Sequence, residues 1–262
     1  MTLYQVGIQK PARSNGGKMK FGIITDIHNN AVALKEVLEK LKDENCDKII
    51  CCGDIIGIGP YPEETVHMVM KIPDLIAVQG NHEGYLLGGL PSEYNDDLKA
   101  ENMDPSEFEY HKWEHSLLSK SSVKFLSELP YKRDFFAENK KISVMNYCMN
   151  EKNKYVNYTP NPDDKGLENM FADCTADIII YGHDHSRTVK EAGGKWYINV
   201  GSLGCPSTER NIARAGILEI SGNDVSVNTI DIEYDVSKVI DEINRINFPA
   251  AKEIKLFFYG VN

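Results

Sequence analysis

The sequence predicts a mixed α/β domain whose chemistry lies along one edge of its sheets. Three observations carry this. Apolar, β-branched runs recur along the chain, each bounded by turn residues. Amphipathic helical patterns separate the first three runs, as parallel strands require. Beyond residue 195 the runs follow one another too closely for helices, which points to antiparallel pairing. At 262 residues the chain can bury a sizeable core. No repeat or linker divides residues 19–262, so one domain is expected there.

The strands are expected at 21–25, 48–52, 75–78, 141–147, 177–181, 196–200, 215–220 and 225–232. Between the first two, Leu34, Val37, Leu38 and Leu41 fall at i, i+3, i+4 and i+7, with Asn30 as N-cap. A second helix follows Pro62, with Val66, Val69 and Met70 on one face. Residues 84–128 are polar, rich in aromatics and helical near 106–128, and are read as a lid inserted between strands. Within them Asn95-Asp96-Asp97 reads as a solvated loop. Two helical patterns split by Pro249 close the chain. Residues 1–18 stand apart. They carry Lys10, Arg13 and Lys18, no acid, and end near Ser14-Asn15-Gly16-Gly17, so they are read as a cloning remnant or an extended start outside the fold.

Composition excludes several classes. Hydrophobic residues make up 42% and charged residues 26%, so the chain is neither disordered nor fibrous. No apolar run approaches the roughly 18 residues of a membrane span, and no signal peptide is visible. The net charge of −10 argues against a non-specific nucleic-acid binder, but not against a small anionic substrate held by metal ions. The six cysteines show no CxxC spacing; three lie in or beside apolar runs like small core residues, Cys51-Cys52 falls within a strand, and a reduced cytoplasm is the natural reading.

The informative residues follow the strands: Asp26-Ile27-His28, Gly53-Asp54, Gly80-Asn81-His82-Glu83 and Gly182-His183-Asp184-His185. Ligand sites in open α/β sheets lie outside the carboxyl ends of strands. Carboxylate, imidazole and amide oxygen together suit Mn²⁺, Fe or Zn²⁺ better than Mg²⁺. Asp-x-His, and again His-x-His, is expected to present two side chains on one side of an extended chain. Asp54 can bridge two ions with its two oxygens. Two ions about 3.5–4 Å apart hold a hydroxide and clamp an in-line displacement at phosphorus.

These four blocks resemble the signature of the calcineurin-like metallophosphoesterases. Gly57-x-Gly59-Pro60-x-Pro62, Asn199-x-Gly201-Ser202 and Tyr234-Asp235 are similar to a bacterial subfamily of phosphodiesterases and diadenosine-polyphosphatase-like hydrolases. The resemblance covers most of residues 19–262. It implies an α+β fold, an α/β/β/α four-layer sandwich of two mixed β-sheets face to face with helices outside. It implies two divalent ions, Mn²⁺ first, with Fe, Zn²⁺ or Ni²⁺ as alternatives. Asp26, His28 and His185 would bind the first, Asp54 would bridge, and Asn81 and His183 would bind the second. His82 would be the catalytic histidine, and Asn30 and Glu83 would support the site or the phosphate.

The sequence departs from the family at two places. Where the family has a further ligand histidine stands Asn146, a weaker donor, so the second metal site is expected to be weakened; His111 or His115 from the lid can substitute. The protein phosphatases of the superfamily carry an arginine shortly after Gly-Asp, and none follows Asp54 here. The expected activity is therefore hydrolysis of a phosphodiester or nucleotide phosphoanhydride by metal-bridging hydroxide, on a small phosphate ester or nucleotide. The alternatives are a non-catalytic or metal-depleted binding or regulatory protein on the same scaffold, and a phosphomonoesterase or protein phosphatase. Tyr85, Tyr94, Tyr110 and Trp113 either stack on a nucleobase or pack the lid. Arg210 and Arg214 either reach further phosphates or lie on an exposed loop.

Overall fold

The computed structural model describes residues 18–100, 103–149, 155–156, 159, 161–205 and 209–261. In chain order the elements are β1 (Lys18–Ile24), α1 (Ala31–Asp43), β2 (Lys48–Cys51), α2 (Pro62–Met70), β3 (Ile76–Ala77), α3 (Asn81–Gly88), α4 (Asp96–Ala100), α5 (Pro105–Leu117), α6 (Lys120–Glu128), β4 (Lys132–Ala137), β5 (Lys140–Met145), α7 (Asp164–Met170), β6 (Ile178–Ile180), β7 (Arg187–Ala192), β8 (Lys195–Val200), β9 (Ile212–Ser221), β10 (Asp224–Glu233), α8 (Val236–Arg245) and α9 (Ala251–Ile254), which runs on as a π-helical turn over Lys255–Tyr259.

The strands form two five-stranded sheets, ordered β10-β9-β1-β2-β3 and β4-β5-β6-β8-β7. Each is mixed. In the first, β1, β2 and β3 are parallel and β9 and β10 antiparallel. In the second, β5, β6 and β8 are parallel, flanked by antiparallel β4 and β7. Phe21, Ile23 and Ile50 of one sheet meet Ile142, Val144, Ile178, Ile180 and Ile198 of the other in one dry layer. The opposite faces are covered too. Leu34, Val37, Val66, Val69 and Ile243 pack α1, α2 and α8 on the first sheet, and Leu167 and Phe171 pack α7 against Tyr181 and Tyr197 on the second. A strand buried on both faces reads as a continuous apolar run, which is why these strands are visible in the sequence.

Two strands were not expected. β4 (KRDFFA) and β7 (RTVKEA) are the edges of the second sheet, and the charges that protect an edge hide the strand pattern. The antiparallel expectation beyond residue 195 holds for β9 and β10, whereas β8 joins the other sheet, antiparallel to β7 and parallel to β6. The lid is helical from Asn81, earlier than expected. Asn95 caps α4 by accepting from Leu98 N at 3.1 Å, so Asp96 and Asp97 open a helix, where negative charge is favourable, and are not a loop. Residues 1–17 lie outside the described residues, and Lys18, assigned to that segment, pairs with Ser221 at the start of β1. Among the described residues no helix is long and apolar enough to cross a membrane.

Ile198 is fully buried between the sheets. Ile198→Ala is expected to cost about 2–5 kcal/mol by urea denaturation, since the packed layer cannot collapse onto the gap. A cost below about 1 kcal/mol would mean that the two sheets do not share a rigid core.

Candidate metal centre

The parallel strands end in turns with left-handed backbone. Asp26, His28 and Asn29 after β1 have φ of 52°, 48° and 53°; Asp54 after β2 has 51°; His183 and His185 after β6 have 74° and 56°. The extended geometry expected for Asp-x-His and His-x-His is therefore incorrect. Local reversals, not a period of two, bring each pair to one place. Such conformations cost about 1–3 kcal/mol each for residues with a Cβ, so other bonds must hold them.

Those bonds are present. Asp26 N, His28 N and Asn29 N donate to the carbonyls of Gly53, Asp54 and Ile55 at 3.0–3.1 Å, zipping the β1 and β2 loops together. The Glu83 carboxylate, fully buried, accepts from the amides of Asp54, Ile55, Ile56 and Gly80 at 2.7–3.1 Å. It thereby ties the β2 loop to the first turn of α3. Gly80 must lack a side chain, because a Cβ there would lie 2.1 Å from Asp54 Oδ1. Gly57, at φ 94°, leaves room for His82, whose Nδ1 would be 2.2 Å from a Cβ. From the lid, Glu114 accepts from Asn29 Nδ2 at 2.6 Å, Gly57 N at 2.8 Å and His111 Nδ1 at 2.7 Å. Glu114 was not singled out in the sequence. Its signal is a polar face of His111, Glu114 and His115 on a helix that otherwise packs aromatics inward.

The predicted residues of all four blocks come together. His28 Nε2 and His185 Nε2 are 2.9 Å apart, and Asp26 Oδ1 is 3.9 and 3.8 Å from them. His183 N donates to both Asp26 oxygens, and its Nδ1 lies 2.9 Å from Asn81 Oδ1. Asp54 Oδ1 accepts from His82 N at 3.1 Å, and one atom each of His28, Asp54 and His82 lie within 4.8 Å of one another. Asn146 Nδ2 donates to Asp54 Oδ2 at 3.2 Å and Cys52 O at 3.1 Å, leaving its buried Oδ1 without a partner. Cys205, not singled out in the sequence, places Sγ within 4.8 Å of ring nitrogens of His28 and His185.

Burial pushes the Asp26 carboxyl up to about 7, and burial together with the Asp26 charge pushes Asp54 well above its usual range. Burial holds His28 and His82 well below theirs, lowers His183, and brings His185 to about 4. Neutral imidazoles thus surround two carboxyl groups short of counter-charge. With the amide oxygen of Asn81, this donor set fits borderline divalent cations. Asp26, His28, His185 and Asp54 can hold one, and Asp54, Asn81 and His183 a second. Asn146 offers that second position an amide in place of an imidazole.

The remaining candidates lie further out. Asn30 caps α1 through Ala33 N and donates to Gly204 O, so both side-chain atoms serve the scaffold. Arg210 is exposed and donates to Phe257 O. Arg214 lies on β9 against Gly201, whose own neighbour is the His185 carbonyl. Tyr110 stacks on Phe248, Trp113 meets the same ring edge-on, and Tyr94 donates to Met103 O, so these three pack the lid. Tyr85 is 5.9 Å from the His82 ring. His111 and His115 face Glu114, and no contact joins them to Asn146 among the described residues.

The protonation pattern has a measurable sign. Burial, aided by Asp54, also lifts Glu83 to about 7. Acids raised in the folded state bind protons that the unfolded chain has released, so stability falls as pH rises through the raised values. The depressed histidines act oppositely, but only below their ordinary 6.5. His111 adds to the acids' effect: burial disfavours its charge, yet Glu107 and Glu114 outweigh this and raise it to about 9. The metal-free protein is thus expected to lose several degrees of Tm between about pH 6.5 and 8.5, and Mn²⁺ to restore them. A flat metal-free profile would contradict this electrostatic picture.

Residues 19–223 match the Calcineurin-like phosphoesterase superfamily domain. An uncharacterized protein of Methanocaldococcus jannaschii is 27% identical over 255 residues, covering 92% of this chain and 98% of that one. A protein named phosphodiesterase from the same organism is 24% identical over 203 residues, covering 77% and 93%. Among solved structures, a hypothetical protein from Pyrococcus horikoshii aligns with a TM-score of 0.77 at 17% identity, covering 93% of this chain and 99% of that one. A metallophosphoesterase from Sphaerobacter thermophilus aligns with a TM-score of 0.67 at 21% identity, covering 93% and 99%. These structural likenesses speak for the four-layer fold, and the match over 19–223 for descent: the chain belongs to the calcineurin-like phosphoesterase superfamily.

Proposed function

We propose that the protein is a dinuclear-metal hydrolase of a phosphodiester or a nucleotide phosphoanhydride. The observation that carries this is the convergence of seven residues from four strand ends onto one place, with Asp26, His28, Asp54 and His82 buried and Asn81, His183 and His185 half-buried around it. When bound, two divalent ions supply Lewis acidity and a water of low pKa as nucleophile. Asp26, His28 and His185 would hold the first, Asp54 would serve both, and Asn81 and His183 would hold the second. The backbone N–H of His183 keeps the Asp26 carboxylate in place.

His82 sits at the mouth of the site. A cavity of about 520 Å³ opens in front of it, lined by Ile58, Glu107, Tyr110, Ile254 and Phe258 among others. Its neutral ring would donate an N–H hydrogen bond to a phosphoryl oxygen and stabilise the charge that develops there. The cavity walls also carry Asp104 and Glu253. Acidic and aromatic walls suit the organic part of a small ester and repel the phosphate backbone of a polymer. The relative named phosphodiesterase and the absence of an arginine after Asp54 favour a diester or anhydride over a monoester.

One observation favours weak occupancy of the second position. Asn146 spends its NH₂ on Asp54 and Cys52, so it braces the shared carboxylate as a donor. Asn146→His is expected to tighten binding of the second ion and raise turnover, read by metal titration and kinetics. No change in either would remove this strand end from the site.

With Mn²⁺, bis-p-nitrophenyl phosphate or a diadenosine polyphosphate is expected to be cleaved faster than p-nitrophenyl phosphate. His82→Ala is expected to lower kcat by about 10²–10⁴-fold with little change in metal content. A clear monoester preference would overturn the substrate class, and full activity of His82→Ala would overturn the role of His82.

A further inference from the structure

Beside His82, the lid helix α5 carries a second cluster of ligand-type side chains. His111, Glu114 and His115 stand at i, i+3 and i+4, on one helical face. One nitrogen from each histidine and one carboxylate oxygen lie within 4.8 Å of one another. Glu114 Oε1 is 2.7 Å from His111 Nδ1 and 3.7 Å from His115 Nε2. The Glu114 carboxylate cannot turn away, because Oε2 is held by Asn29 and Gly57. His111 and Glu114 are buried, and His115 Nε2, also out of solvent, has no hydrogen-bond partner.

A lid clamp explains part of this arrangement. Glu114 needs His111, Asn29 and Gly57 to satisfy it, and they do. It does not explain why a second imidazole nitrogen is buried against the same oxygen with nothing to bond. Buried polar atoms without partners are rare, and the cost falls away if an ion sits between them.

We propose that His111, Glu114 and His115 form a cation site of the Zn²⁺ class in the lid, separate from the candidate metal centre. Two imidazoles and one carboxylate, with solvent as a further ligand, are a donor set that zinc takes. The set is too poor in oxygen for Mg²⁺ or Ca²⁺. The ion replaces the proton shared by His111 and Glu114, and that proton leaves to solvent. The site adjoins the reaction machinery: the His111 ring lies 5.1 Å from the His82 ring, and Glu114 grips Asn29, next to His28.

The test is titration of the metal-stripped full-length protein with Zn²⁺ by calorimetry, comparing wild type with His115→Ala and His115→Gln. The wild type is expected to bind one Zn²⁺ per chain more than either variant, with Co²⁺ showing a corresponding set of visible bands that the variants lose. The same difference is expected in an Asp26→Asn background, where the main centre is crippled. Equal stoichiometry in wild type and both folded variants would overturn the lid site. Loss of the lid ion alone leaves the dinuclear reading intact, and a wild type that binds only the lid ion would overturn that reading instead. Circular dichroism of both variants separates loss of a ligand from loss of fold.

Discussion

The site depends on one buried carboxylate. Among the described residues Glu83 has no cationic partner; it is held by the four amides of Asp54, Ile55, Ile56 and Gly80. Those amides belong to two strand-end loops that no regular hydrogen-bond ladder would join. Without Glu83 they would be buried donors with no acceptor, each costing about 1–3 kcal/mol. The same bonds fix the left-handed turn at Asp54 and start α3 with Asn81 and His82 facing inward. A single side chain thus sets the relative position of Asp54, Asn81 and His82, the proposed bridging carboxylate, amide ligand and catalytic histidine.

The rest of the architecture serves that arrangement. Two mixed sheets pressed face to face bring the carboxyl ends of β1, β2 and β3 beside those of β5 and β6. Asp26 is then reached by His183 N from the other sheet, and Asp54 by Asn146. The lid is not a loose cover. Its Glu114 is hydrogen-bonded to the loop residues Asn29 and Gly57, and its aromatics pack on Phe248 near the chain's end. Pre-organisation of this kind keeps carboxylates and neutral imidazoles in place, ready for cations, at the expense of local strain.

Much of this was legible in the sequence, and the gaps have physical causes. Doubly buried strands such as Ile178–Ile180 announce themselves as apolar runs, and Asn30 before Leu34 and Val37 announces a helix start. Edge strands β4 and β7 do not, because the charges that guard an edge erase the pattern. The candidate ligand residues were visible because they follow strands. Their backbone was not, since positive φ at Asp26 or His185 leaves no mark on residue type. Glu114 was hidden for another reason: only the fold brings a lid helix against Asn29 and Gly57. Cys205 was hidden in the same way, by looking like any small core residue.

The proposed metal centre around Asp54 is expected to bind two cations unequally, which anomalous diffraction from crystals soaked in Mn²⁺ would show. A strong peak is expected among Asp26, His28, His185 and Asp54, and a weaker one among Asp54, Asn81 and His183. Absence of any peak beside Asp54 at saturating Mn²⁺ would contradict this arrangement.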